Sequence, residues 1–143
     1  MALLSAQDQQ VLTQHLSAID RPVTLLVFTQ AIGGSESGAV ATQVLGELAR
    51  LSDKITIEQK NFILDVEDRD RYGIDKSPAI VVLSNGEDTR IRMFGAPTGY
   101  EFVGLVEAIL LAGTGRLDLQ ETTLQLLAGV DRPTTIQVFS TPT

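Results

Sequence analysis

Apolar residues along the chain alternate between helical spacing and short unbroken runs. Val11, Leu12, Leu16 and Ile19 recur three or four apart, with His15 at the edge of the stripe, and predict a first helix. Ser5 is suited to cap it, and Asp8 three residues later suits the positive helix end. Asp20-Arg21-Pro22 stops it, because a residue before proline is pushed out of helical geometry. The run Val23–Thr29 (VTLLVFT) is short, β-branched and apolar, the pattern of a strand buried on both faces. Gly33, Gly34 and Gly38 then mark a loop and the mouth of a helix that Ser35 or Ser37 could cap. Val40, Val44, Leu45, Leu48 and Leu51 give that helix one apolar face, and Ser52-Asp53 closes it. Residues 54–59 alternate, with Ile55 and Ile57 on one side, and predict a strand reaching to about Phe62.

The second half continues with a charged helical stretch at 65–72, which Gly73 is placed to end. Ser77-Pro78 precedes a second unbroken apolar strand, 79–83 (AIVVL). Asn85-Gly86 is a hairpin signal, since both residues tolerate positive φ, and 89–94 returns as the antiparallel partner. Residues 97–111 predict a helix with Phe102, Leu105, Val106, Ile109 and Leu110 toward the core. Residues 112–115 (AGTG) read as a linker by composition. An amphipathic helix at 119–127 follows, then Pro133 and a further β-rich segment, 134–140 (TTIQVFS). Strands alternating with helices, and a terminal hairpin before the last core helix, place the chain in the α/β class.

Composition narrows what such a domain could do. The 143 residues, 43% hydrophobic and 20% charged, suit one domain with a short extra piece. A net charge of −7 with no Lys/Arg cluster excludes nucleic acid as an expected partner, because phosphate backbones are bound by clustered cations. The absence of cysteine removes disulfides, thiolate metal sites and thiol nucleophiles. The apolar stretch 102–112 is interrupted by Gly104 and Glu107 and is too short to span a bilayer. Residues 1–10 lack the basic start and long apolar run of a signal peptide, so no membrane partner and a cytoplasmic location are expected.

Several fragments resemble the thioredoxin fold, with its central four-stranded mixed sheet flanked by helices. Arg71-Tyr72-Gly73-Ile74 followed by Ser77-Pro78 and an apolar strand resembles the approach to that fold's cis-proline. The Asn85-Gly86 hairpin followed by Phe94-Gly95-Ala96-Pro97-Thr98-Gly99-Tyr100-Glu101-Phe102 resembles the end of the same domain. Leu51-Ser52-Asp53-Lys54-Ile55-Thr56 narrows the likeness to the first half of the two-domain, glutaredoxin-like protein disulfide oxidoreductases. The chain is also similar to the N-terminal domain of the flavoprotein subunit of alkyl hydroperoxide reductase. Ile136-Gln137-Val138-Phe139-Ser140-Thr141-Pro142-Thr143 resembles the first strand of the second oxidoreductase domain, where a Cys-Pro-x-Cys motif follows. The resemblance implies a thioredoxin-like domain at 1–111, a linker and helix at 112–133, and the first strand of a second, truncated domain at 134–143. A natural C-terminus with an extra edge strand is the other reading of that tail.

The chain departs from this family at its redox slot. Members often carry Cys-x-x-Cys between the first strand and the following helix. The matching positions here are Gly34 and Ser37, in Gly34-Ser35-Glu36-Ser37. Disulfide exchange needs an attacking thiolate and a second, resolving thiol, and neither a glycine nor a serine supplies one. The resemblance therefore implies no catalytic residue and no cofactor in this segment. The expected role is to support or dock a downstream Cys-x-x-Cys domain of the same chain in redox homeostasis, with protein or peptide clients.

Other candidate sites have plainer readings beside them. Residues 33–38 (GGSESG) could cradle an anion at a helix start, but lack a Gly-Lys-Ser/Thr ending, and Glu36 opposes phosphate. His15, the only histidine, could serve a hydrolase with Ser35 or Ser37, or be a partly buried helix-face residue. Glu67, Asp68 and Asp70 form an acidic run that reads as a solvated helix face rather than a metal site. Ser77 and Pro78 could offer backbone to an extended peptide, in a stand-alone adaptor for instance, or be an architectural turn. Whether Phe94 and Tyr100 are core or exposed is left open by their spacing.

Overall fold

The run Val23–Thr29 forms β1, and its continuous apolarity fits its place inside a sheet with neighbours on both sides. A computed structural model of the chain describes residues 1–141. β2 (Ile55–Asn61) pairs with β1 in parallel, Val23 opposite Ile55 and Thr29 opposite Asn61. β3 (Ala79–Ser84) pairs antiparallel on the other side of β1, with Phe28 opposite Ala79. β4 (Glu87–Phe94) closes the order β2-β1-β3-β4 through an antiparallel hairpin. Asn85 and Gly86 at its tip both have positive φ, as that short turn demands.

The helices are α1 (Ala6–Leu16), α2 (Glu36–Ala49), α3 (Val66–Arg71), α4 (Tyr100–Thr114) and α5 (Glu121–Ala128). Alternate residues of the sheet divide the core in two, as the period of a strand dictates. Leu25, Val27, Ile80 and Val82 face Leu16, Ile19, Val44, Leu45, Leu48, Leu105 and Ile109. Leu26, Phe28, Val81 and Leu83 face the other way, toward Ile74, Phe62, Tyr72 and Phe94. This is the mixed four-stranded sheet flanked by helices expected of a thioredoxin-like domain.

At α1 the short-range signals act together: Asp8 N–H donates to Ser5 Oγ at 3.1 Å and Ser5 N–H to Asp8 Oδ2 at 3.2 Å, a reciprocal cap. Other expectations need correction. The 112–115 stretch is not a linker, because α4 runs to Thr114. Ala112 and Gly113 are buried there, and Gly113 has no side chain to collide with Ile19. The helix ends one residue later, at Gly115 in the left-handed conformation. α4 also begins at Tyr100 rather than at Pro97, after a turn in which Thr98 N–H donates to Ala96 O. Residues 134–141, expected to include a strand, form none and are exposed throughout, since no sheet edge lies against them. Pro142 and Thr143 lie outside the described residues.

Candidate functional site

Three chain segments meet at the end of the sheet where β1 and β2 finish. The first is the loop 30–35, which leaves Thr29 and enters α2. Ser35 is the N-cap of α2, its Oγ accepting from Gly38 N–H at 3.3 Å. A Cβ built on Gly34 would collide with Gln30 O, so the loop can take this path only with glycine there. Ser37 is the second residue of α2 and is exposed. The two slot positions thus lie at the start of a 14-residue helix, where partial positive charge favours an anion, but neither holds an ionisable group.

The second segment follows β2. Phe62 N–H donates to Thr29 O at 2.9 Å, and Asn61 Oδ1 accepts from Ile63 N–H at 2.9 Å and Leu64 N–H at 3.0 Å. That turn presents Ile63 and Leu64 to solvent, beside the loop after β1 in which Ile32 is 94% exposed. No periodic pattern in the sequence marks such residues, because loop side chains follow the turn and not a repeat.

The third segment is Ser77-Pro78, joined by a cis peptide bond. Ser77 Oγ donates to Phe28 O at 3.2 Å, and Pro78 O accepts from Gly95 N–H at 2.9 Å. The pairing of Phe28 with Ala79 sets this turn at the same end of the sheet as the 30–35 loop. Gly34, Ser37, Ser77 and Pro78 therefore share one end of the sheet. The shallow hollow at the loop, lined by Gln30, Gly34, Ser35 and Thr42 among others, includes neither Ser77 nor Pro78. Tyr100 is exposed and Phe94 half-buried against the second core.

The remaining candidates do not come together. His15 is exposed on α1, not partly buried, because the burying face passes through Leu12 and Leu16. Among the described residues it makes no hydrogen bond or ion pair with Ser35 or Ser37. In the acidic run, Asp68 is paired to Lys60 at 2.7 Å, which raises the lysine's pKa, and Asp70 to Arg69 at 3.3 Å. Among the described residues no group of three or more His, Cys, Asp or Glu side chains could hold a metal ion. No helix among them is long and apolar enough to cross a membrane.

No protein-family profile matches the chain. The alkyl hydroperoxide reductase protein AhpF of Staphylococcus epidermidis is 26% identical over 137 residues, which is 96% of this chain and 24% of that protein. The structure of the Enterococcus faecalis AhpF superposes with a TM-score of 0.80 at 28% identity, over 88% of this chain and 60% of that one. A protein disulfide oxidoreductase of Aeropyrum pernix, at 20% identity and TM-score 0.76, covers 90% of this chain and 56% of its own, and shares the fold. The chain thus spans about a quarter of the length of the staphylococcal AhpF. It is similar, along most of its own length, to the N-terminal region of the AhpF proteins of alkyl hydroperoxide reductase, and its fold is thioredoxin-like.

Proposed function

We propose that this chain is a redox-inactive thioredoxin-fold domain of a thiol-disulfide oxidoreductase, supporting or docking a downstream Cys-x-x-Cys domain of the same polypeptide. The observation that carries the reading is the slot. Gly34 and Ser37 stand at the start of α2, where a helix end would favour a thiolate, and the chain has no sulfur to put there but that of two methionines. Similarity to a segment of much longer chains supports the presence of a downstream unit. Electrons would pass through cysteines of that unit, and this domain would contribute surface and position in the cytoplasm. Disulfide reduction by the polypeptide continued in its own reading frame is the test. Turnover by the longer chain, its loss on removal of residues 1–116, and none from the 143-residue chain are expected. Equal turnover with and without the domain would refute the supporting role.

A second reading is a stand-alone adaptor that holds an extended peptide. It draws on Ile32, Ile63 and Leu64, exposed at the sheet end that also carries Ser77 and Pro78. Titration of the chain with apolar decapeptides, followed by backbone NMR, should then shift residues 30–35, 62–64 and 77–79 together. Shifts scattered over the surface would end that reading.

A further inference from the structure

The chain has two asparagines, Asn61 and Asn85, and the fold treats their side chains oppositely. Asn61 Oδ1 accepts from Ile63 N–H at 2.9 Å and from Leu64 N–H at 3.0 Å, which fixes that amide in place. The next residue is Phe62, whose N–H donates to Thr29 O at 2.9 Å. Asn85 instead lies exposed at the tip of the β3–β4 hairpin. Among the described residues its side chain makes no hydrogen bond.

The residue after Asn85 is Gly86. Ser84 pairs with Glu87, so Asn85 and Gly86 form a two-residue turn outside the ladder. Among the described residues the Gly86 N–H has no acceptor. A Cβ added at Gly86 would find no atom within 4 Å, so the tip is open on that side. The Asn85 N–H is held, by Pro22 O at 2.9 Å, but the peptide group that follows is not tied through its nitrogen. A loose side-chain amide thus stands next to an unhindered, unbonded backbone nitrogen.

We propose that Asn85 is a site of spontaneous deamidation in the folded chain, and that its isoaspartyl product opens the hairpin. Asparagine is a chemically labile side chain, and the turn leaves this one free to react. The Gly86 nitrogen gives up its proton and bonds to Asn85 Cγ. The bond from Cγ to Nδ2 breaks, and the amide nitrogen leaves as ammonia, taking up a proton. A succinimide ring remains, and nothing is oxidised or reduced. Solvent water then opens the ring. Cleavage of the new bond to Cγ gives aspartate. Cleavage at the backbone carbonyl of residue 85 gives isoaspartate, in which the main chain runs through the former side chain.

The two products differ in what they do to the turn. Aspartate tolerates the left-handed backbone that Asn85 adopts at φ 50 much as asparagine does, so it keeps the turn. Isoaspartate adds a carbon to the main chain of a two-residue turn, and Ser84 and Glu87 then lose their register. The start of β4 has little else to hold it. Its pairing with β3 shifts between Val81 and Leu83, and the side-chain bond there is from Thr89 Oγ1 to Val82 O at 2.7 Å. Either product also places a carboxylate beside Glu87 and Asp88. The change falls at the opposite end of the sheet from Gly34 and Ser37 and requires nothing of a downstream unit.

The test incubates the folded 143-residue chain and a synthetic peptide of residues 77–90 in the same mildly alkaline buffer. Mass spectrometry of tryptic peptides reads each asparagine separately, because conversion replaces –NH2 by –OH. Asn85 should convert in the folded chain at a rate comparable with that of the free peptide, and faster as pH rises, while Asn61 stays intact. Anion exchange then isolates the converted chain, and resistance to cleavage by an aspartate-specific protease marks its isoaspartyl fraction. That fraction should melt below the Asn85→Asp variant, which carries the same charge without the extra carbon, and amides of 87–90 should lose protection. Asn85 intact in the folded chain after the free peptide has converted overturns the assignment of the site, and so does Asn61 converting as fast as Asn85. An isoaspartyl fraction that melts with the Asn85→Asp variant overturns the opening of the hairpin.

Discussion

The backbone N–H of Leu3 donates to Glu47 Oε1 at 2.8 Å, across 44 positions of sequence, and ties the N-terminus to the last turn of α2. Leu4 N–H adds a bond to Oε2 at 2.8 Å, and Gln43 Nε2 donates to Oε1 at 3.1 Å. The two backbone bonds, from Leu3 first, hold the Glu47 carboxyl below its usual pKa against the opposing effect of burial. A carboxyl depressed in the folded state contributes stability that is complete above its unfolded value of about 4.3 and disappears as pH falls through the folded one. The N-terminal segment should therefore stay attached from neutral pH down to that value and loosen below it. Glu47→Gln should loosen it at neutral pH and remove the acid dependence, seen as lower protection factors at Leu3 and Leu4; protection factors in the unmutated chain that do not change with pH would exclude this linkage.

Arg92 and Asp88 form a bidentate pair on β4, at 2.8 and 2.7 Å, while Arg92 Nε donates to Tyr72 O at 3.1 Å and the guanidinium stacks 5.7 Å from the Tyr72 ring. This arginine fastens the turn after α3 to the edge strand. Lysine cannot reproduce the fork, so Arg92→Lys should cost about 1–2 kcal/mol in denaturant unfolding, by the usual worth of a charge-assisted hydrogen bond. The Arg92 bond lowers the Asp88 pKa, so the pair's contribution is present above about pH 4 and fades on acidification. Equal stability of the variant and the parent at neutral pH would show that the fork contributes nothing.

Installing thiols at Gly34 and Ser37 should show a divided outcome. Ser37→Cys places a sulfur in the first turn of α2 and should give a thiol with a pKa below about 8.5, readable by the pH dependence of alkylation. Gly34→Cys must displace the loop, since its Cβ meets Gln30 O, and should cost roughly 1–3 kcal/mol. The double variant should form a disulfide only with that loss. A Gly34→Cys variant as stable as the parent would mean that the loop moves freely.

Gly113 is the close contact between α4 and Ile19, just ahead of the turn into β1. A Cβ there would come 2.6 Å from Ile19 Cγ2, so Gly113→Ala should destabilise by about 1–3 kcal/mol despite alanine's better helix propensity. Gly104 lies on the same helix with no atom within 4 Å of an added Cβ, and alanine there should stabilise the chain by up to about 1 kcal/mol. Thermal melts that rank the two variants the other way would overturn this placement of α4.

Much of the fold was legible because its signals are local. Ser5 with Asp8, Pro22 before β1, the Asn85-Gly86 turn and Gly73 after α3 each act within a few residues, so the sequence showed them directly. The absence of thiols at Gly34 and Ser37 was legible in the sequence, but the backbone contact that forbids a Cβ at Gly34 was not. Arg90 at φ 66, within a strand, carries no sequence signal at all, since the irregularity is imposed by pairing with β3 between Val81 and Leu83.

The sequence alone determined the class of fold, the order of its strands and helices and the absence of thiols, because periodicity and composition are properties of the chain itself. Tertiary structure decided where α4 ends, that Glu47 is spoken for by the N-terminus, and that His15 is exposed on α1, with no hydrogen bond to Ser35 or Ser37 among the described residues. It also decided that Phe28 is buried while Phe139, in a closely similar local sequence, is bare. Burial belongs to the surroundings of a residue, and two like segments acquire different surroundings only once the rest of the chain has folded against one of them.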